Sequence, residues 1–313
     1  MKKAISMVLA VAMMATMLVG CGKKSEEKKV VNADDPIVLM LPSTSEYEII
    51  GYMTLLALEK GGYACENKIG AISGLDMLRE MMLSDECDIT MGYTGNGMYY
   101  MEEEGEKVWN SLQDGYARIK DYDKKTNNVD WLSPAPANNT ELLAVTKEFA
   151  AANNIEDMYD FAEYVNNGGE LKLATPQYWV EYAQGLPGME KAYGFKVAEN
   201  QLVIGAKAEK EVSEGTDGMN CTMIFTTDGR IDELGLYVIK DPLEIPPVYA
   251  PCLVAKGAVM EAYPEIADLT NAFMKTLTTE VLIGLNRKVD SEGADPETVA
   301  RDYLVSIGLL DAE

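Results

Sequence analysis

Four aromatic residues stand just after apolar segments of strand length: Tyr47, Tyr93, Phe225 and Tyr249. An aromatic face carries partial negative charge, so several such rings converging on one cleft would form a cage for a cation. Any one of them fits a core or a rim equally well, and sequence does not show convergence. Catalytic readings find less support. Glu102-Glu103-Glu104 is a run of acids, the pattern of a solvated helix face, whereas paired catalytic carboxylates need opposed geometry around a substrate. Gly92-Tyr93-Thr94-Gly95-Asn96-Gly97 is glycine-rich, but it lacks the Lys-Ser/Thr of a phosphate loop and the G-x-G-x-x-G spacing of a dinucleotide fold. Its glycines suit a turn or a close approach of backbone to a ligand. No serine sits in a G-x-S-x-G elbow. The chain has no histidine, which removes histidine-based triads and imidazole metal sites. Cys21, Cys65, Cys87, Cys221 and Cys252 include no C-x-x-C pair, so a zinc ribbon or thioredoxin-like centre is not expected. The reading is a binding protein, with no enzyme activity, cofactor or metal.

The elements that would position these residues alternate. Ile37 to Leu41 is a continuous apolar run, as in a parallel strand buried on both faces. Ile49, Met53 and Leu56 give helical spacing from Glu46 to Lys60, and Gly61-Gly62 stops it. A short segment around Ile69, a helix marked by Leu75, Leu78 and Met82, and a strand from Cys87 to Tyr93 complete a β-α-β-α-β order. That order predicts an α/β sheet with ligand at the carboxyl ends of its strands. Further strands are expected at 141–145, 171–174, 223–225 and 235–240, and further helices at 155–165, 265–284 and 296–307.

The 313 residues are 47% hydrophobic with a net charge of −24, a globular composition without the basic face that nucleic acid requires. The N-terminus reads as an address. Lys2 and Lys3 precede an apolar run from Ala4 to Leu18, short for a bilayer span and normal for a signal peptide. The run ends Leu18-Val19-Gly20-Cys21, which resembles the bacterial lipobox, where cleavage leaves a lipid-carrying cysteine first. Residues 1–20 are therefore expected to be a signal peptide. Residues 21–34 would be a lipidated Cys21 and a polar tether, holding the folded part to the outer face of the cell membrane. The other four cysteines allow two disulfides or buried free thiols.

Five segments then resemble, in order, the substrate-binding proteins of bacterial ABC importers for glycine betaine, choline and related osmoprotectants. Asp88 to Gly95 (DITMGYTG) resembles the family's D-I-x-x-x-Y-T-G, and Trp131 to Val145 (WLSPAPANNTELLAV) its W-L-x-P-x-x-x-N-N-T-x-x-L-A-V. Gly185 to Phe195 (GLPGMEKAYGF), Thr227 to Ile231 (TDGRI) and a stretch within Leu285 to Leu310 (VDSEGADPETVARDYL) follow.

The resemblance implies an α/β, two-lobed periplasmic-binding-protein fold of type II, a clamshell with two crossover segments. Lobe one would be residues 35–137 plus 241–313 and lobe two 138–240, with a small cationic or zwitterionic amine held between them. Partners would be ABC permease and ATPase subunits. The family's ligand positions carry over to Tyr93 as a cage tyrosine and to Asn139 and Thr140 as polar contacts. Phe225 stands at a cage tyrosine without its hydroxyl, Tyr249 in a Pro-rich segment of shorter spacing, and Asn96 after Y-T-G. Three departures stand out. Glu141 replaces a cage aromatic, and strand alternation leaves it facing either cleft or solvent. Tyr47 replaces a polar contact in the first strand–helix loop. Tyr182 stands where an Arg could meet a ligand carboxylate, which points to choline-like ligands over glycine betaine. A different amine, a sensory lipoprotein without transport, and a secreted carboxylate-based enzyme are the alternative readings.

Overall fold

The computed structural model describes residue 32 and residues 34–72, 75–205 and 208–312. The signal peptide, Cys21 and nearly all of the tether lie outside the described residues. Among the described residues, ten strands form two five-stranded sheets. Strands β1 (Ile37–Pro42), β2 (Cys65–Ile72), β3 (Ile89–Tyr93) and β4 (Val129–Trp131) come first in the chain. Next are β5 (Glu141–Thr146), β6 (Leu173–Thr175), β7 (Leu202–Ile204), β8 (Cys221–Phe225), β9 (Leu236–Val238) and β10 (Pro251–Lys256). The first sheet has the order β2-β1-β3-β10-β4 and the second β7-β6-β8-β5-β9. The chain thus passes from one sheet to the other between Trp131 and Glu141, and returns between Val238 and Pro251.

The local reasons for these elements are plain. All five residues of β3 are buried, as befits a central strand of a sheet covered on both faces, and the Thr90 hydroxyl among them donates to Met40 O at 2.7 Å. Helix α1 (Ser45–Gly61) carries Glu46 and Glu48 in its first turn and Lys60 in its last, which complements the helix dipole. Gly62 ends it at φ 96°, a left-handed cap that favours glycine. Among the described residues the lobe of the first sheet has one core, around Trp109, Trp131 and Phe273, and the lobe of the second sheet has two, around Phe161, Trp179 and Met223 and around Ala144, Ile224 and Leu236. In the first, Asp123 is fully buried, yet it accepts from both Arg79 terminal nitrogens, from Trp131 Nε1 at 2.6 Å and from Asn127 Nδ2 at 2.8 Å. Arg79 also lies 4.0 Å from the centre of the Tyr100 ring.

Three sequence expectations are corrected. The single helix at 265–284 is two, Ile266–Met274 and Thr279–Asp290, because Thr278 caps the second by accepting from Val281 N. Strand β10 was not foreseen. It runs antiparallel to both β3 and β4, so it follows a loop rather than a crossover helix. Glu102 to Glu104 form a turn with Glu102 at φ 55°, not a helix face. The four cysteines among the described residues are free thiols, and burial raises Cys65 and Cys87 to about 12.

The lobes touch beyond the crossings. A Cβ on Gly229 would lie 2.3 Å from Arg287 N and 2.5 Å from Asn286 C, so lobe two presses bare backbone onto a lobe-one helix. Gly105 N donates to Gln184 Oε1 at 3.1 Å, and the Tyr99 and Tyr182 rings are 6.5 Å apart.

Two outcomes are expected. Asp123→Ala leaves the partly buried Arg79 and the Trp131 Nε1 donor without their acceptor and should cost about 3 kcal/mol in urea unfolding; a loss within experimental error would refute the role given to Asp123. Gly229→Ala should hold the lobes apart. Small-angle scattering at saturating ligand should then give a larger radius than wild type, and an identical radius would count against the contact.

Candidate functional site

A cavity of about 660 Å³ lies between the two sheets. Its walls are the ends of elements. β1 runs into Thr44, Ser45, Glu46 and Tyr47 at the start of α1, and β3 ends in Tyr93 with Asn96 one turn on. Glu141 opens β5 and Phe225 closes β8, and the two are paired in register, so lobe two presents an acid and a ring side by side. Pro251 is paired with Tyr93, which brings Tyr249, two residues earlier, against the same wall. Gly95 makes room for the Tyr249 ring, since a Cβ there would lie 2.8 Å from it.

The rings therefore converge. Tyr47, Tyr93, Phe225 and Tyr249 all line this cavity, as do Asn96, Asn139 and Glu141. Tyr47 and Tyr93 meet edge to face at 5.6 Å, an arrangement that fixes both ring planes. Burial raises both phenols well above their ordinary value, so each keeps its proton. Glu141 lines the cavity and accepts from the Tyr178 hydroxyl.

Thr140 is the exception among the expected ligand contacts. It does not line the cavity; its hydroxyl donates to Pro247 O at 2.9 Å and its amide to Thr226 Oγ1 at 3.0 Å. It ties the two crossing segments together, and Asn139 N does the same by donating to Tyr249 O at 2.9 Å. Tyr182 also lies outside the lining. Its hydroxyl is shared with Tyr249 and Tyr99 in a cluster joining a lobe-two helix end, a crossing segment and lobe one.

Sequence reasoning missed the centre of the site. Glu46 is buried, and its carboxylate accepts from Tyr93 Oη at 2.7 Å, Asn139 Nδ2 at 3.2 Å and Asn286 Nδ2 at 2.9 Å, with the Thr227 side chain a fourth partner. Burial pushes its pKa up and the four hydrogen bonds pull it back, with a net rise. The signal was available beside Tyr47, but a lone Glu in a helix's first turn reads as a dipole partner. Asn286 and Asp290 were missed too, although their i, i+4 spacing puts both on one helix face. Asp228 and Arg230 lay inside a motif used only for recognition. Arg230 is paired with Asp228 at 2.7 Å and Glu209 at 3.3 Å, so the one basic lining residue is already neutralised. Glu46, Glu141, Asp228 and Asp290 leave the cavity acidic, which suits a cation and repels an anion.

Among the described residues no group of His, Cys, Asp and Glu could hold a metal ion, and no helix is long and apolar enough to cross a membrane.

Comparison with known proteins agrees with this architecture. The family model described as the substrate binding domain of ABC-type glycine betaine transport systems matches residues 35–306. The glycine betaine-binding protein YehZ of Escherichia coli is 34% identical over 283 residues, covering 89% of this chain and 92% of that protein. A glycine-betaine-binding protein of Pseudomonas aeruginosa is 29% identical, covering 85% of this chain and 86% of its own. The solved structure of apo YehZ from Escherichia coli superposes with a TM-score of 0.76 at 35% identity, over 88% of this chain and 99% of that one. With two five-stranded sheets joined by two crossings around one acidic, ring-lined cleft, the chain has the periplasmic-binding-protein fold and belongs to the family of substrate-binding domains of ABC-type glycine betaine transport systems.

Proposed function

We propose that this protein is a lipid-anchored solute receptor of an ABC importer. It binds a small methylated amine of the choline or glycine betaine kind between its lobes and delivers it to the permease. The observation that carries the reading is the convergence of Tyr47, Tyr93, Phe225 and Tyr249 on one acidic cavity. That cavity is of ordinary size for a small-molecule site. Aromatic faces hold a quaternary ammonium without a hydrogen bond, and the surrounding acids supply charge. Lobe one is assigned to residues 35–137 plus 241–313 and lobe two to 138–240, with closure a hinge motion at the two crossings. No chemical step is involved, and the ligand itself is the only small molecule required. The preference for choline over glycine betaine is supported by the lining, whose one basic residue, Arg230, is already paired with Asp228 and Glu209 and so does not offer a free cation to a ligand carboxylate.

Isothermal titration with choline and glycine betaine tests the site. A desolvated cation–π contact is worth ~0.5–2 kcal/mol, so Tyr93→Ala should weaken choline roughly tenfold or more. Tyr93→Phe keeps the ring but removes a donor from buried Glu46, so it too should lose affinity, though less. Glu141→Gln should weaken both ligands, choline more. Tight betaine binding that survives Tyr93→Ala would defeat the cage. The anchor is tested separately: Cys21→Ala should abolish lipid labelling and release the protein from membranes, and a variant still labelled and retained would exclude the lipobox reading.

A further inference from the structure

The chain enters lobe one at a fixed point. Asn32 is 6% exposed. Its Nδ2 donates to Ala64 O and to Asp35 O, each at 3.0 Å, and its Oδ1 accepts from Ala64 N at 2.7 Å. The segment preceding Asn32 therefore starts beside Tyr63 and Ala64, just before β2. An apolar groove of about 550 Å³ opens at the same place. It lies between the end of α1 and the helices Ile266–Met274 and Pro296–Ser306, and it shares no lining residue with the cleft. Leu269, Leu304 and Leu310 line it, and Tyr63 is part of its wall. Glu265 and Asp268 stand exposed on its rim, with the Tyr63 hydroxyl donating to Glu265. Among the described residues its one basic member is Lys60, whose ammonium donates to Leu309 O at 2.5 Å.

The four residues before Asn32 are Lys28-Lys29-Val30-Val31, and they lie outside the described residues. The two valines are the only large apolar side chains between Cys21 and Asn32. Apolar side chains gain by leaving water, and an apolar groove stands at the point where this segment joins the lobe. Four extended residues span at most about 14 Å, enough to lie along it. The two lysines match the two rim acids in charge. We propose that residues 28–31 dock in this groove, the valines against Leu269, Leu304 and Leu310 and the lysines at Glu265 and Asp268. Exposed ion pairs contribute little, so the valines carry the contact and the lysines set its direction. This goes beyond the ligand reading and bears on the anchor. With lipid on Cys21, as proposed above, six residues, Gly22 to Glu27, span the distance from lipid to docked stretch instead of ten. The reach of the tether falls from about 35 Å to about 20 Å. Lobe one is then held by a side as well as by a point, so the cleft meets its membrane partner in fewer orientations.

The test times the alkylation of a reporter thiol by iodoacetamide in the full chain, read by mass spectrometry, for Val30→Cys, Val31→Cys and Ser25→Cys. The same substitutions in a synthetic peptide of residues 22–34 give the undocked rates. Cysteine is a small apolar side chain and keeps the contact. Burial raises the four thiols of the folded part, so they react slowly. Position 25 should react at the peptide rate. Positions 30 and 31 should react roughly tenfold more slowly than in the peptide, since burial favours docking and chain ordering opposes it. Asp268→Lys reverses an exposed rim charge and should lessen this protection; Leu310→Ser removes part of the apolar lining and should lessen it further. Protection at either position that falls in either groove variant supports the docking. Peptide rates at both positions would overturn it, including the case in which a second copy of the chain fills the groove. So would protection that neither groove variant reduces, as expected if the folded lobe merely hinders the reagent.

Discussion

The arrangement depends on one buried acid. Glu46 stands at the start of α1, where the first sheet meets the cleft, and a carboxylate there is tolerated only if its oxygens are filled. The donors come from four places: the end of β3, the outward crossing, the helix Thr279–Asp290 and the loop after β8. The last of these belongs to the second lobe. Filling one acid's hydrogen-bonding capacity therefore fixes Tyr93 as a ring wall, sets the orientation of two amides and brings the lobes into register.

The crossings are the second constraint. Two chain segments passing between lobes could slide independently, but Asn139, Thr140 and Asn138 bond them to each other and to the loop after β8. The hinge is thus one bonded unit. Two cage residues are part of its ends, Tyr249 directly and Phe225 through its pairing with Glu141 at the start of β5. Rotation of the lobes must alter the spacing of the rings, which couples closure to whatever the rings hold.

Much of this was legible in the sequence, and the rest was hidden for definite reasons. Buried strands announce themselves as short runs rich in apolar residues, so β1, β3 and β5 were readable. Tyr47, Tyr93 and Phe225 were readable because they follow or close such strands, whereas Tyr249 precedes β10. Strand β10 follows a proline-rich stretch that reads as loop. Glu46 was hidden because its partners are 47, 93 and 240 residues away, and a carboxylate's burial is a property of those partners rather than of its neighbours. Thr140 shows the reverse case. A polar residue in a ligand motif was read as a contact, whereas its hydroxyl is spent on the Pro247 carbonyl.

The position of β10 has a bearing on how the molecule is made. The second sheet is built wholly from Glu141 to Val238, one uninterrupted piece of chain. The first is not: β10 lies between β3 and β4, so its interior has a gap until residues 251–256 arrive. A chain emerging from its N-terminus makes most of the first lobe early but completes it late. The second lobe, whose pairings all fall within Glu141 to Val238, has the shorter search. Until β10 is inserted, the facing edges of β3 and β4 are open and apolar, the condition in which strands pair with the wrong partner. The order of synthesis and the order of completion are thus inverted in this fold, and the interval between them is when the nascent protein is most exposed to aggregation.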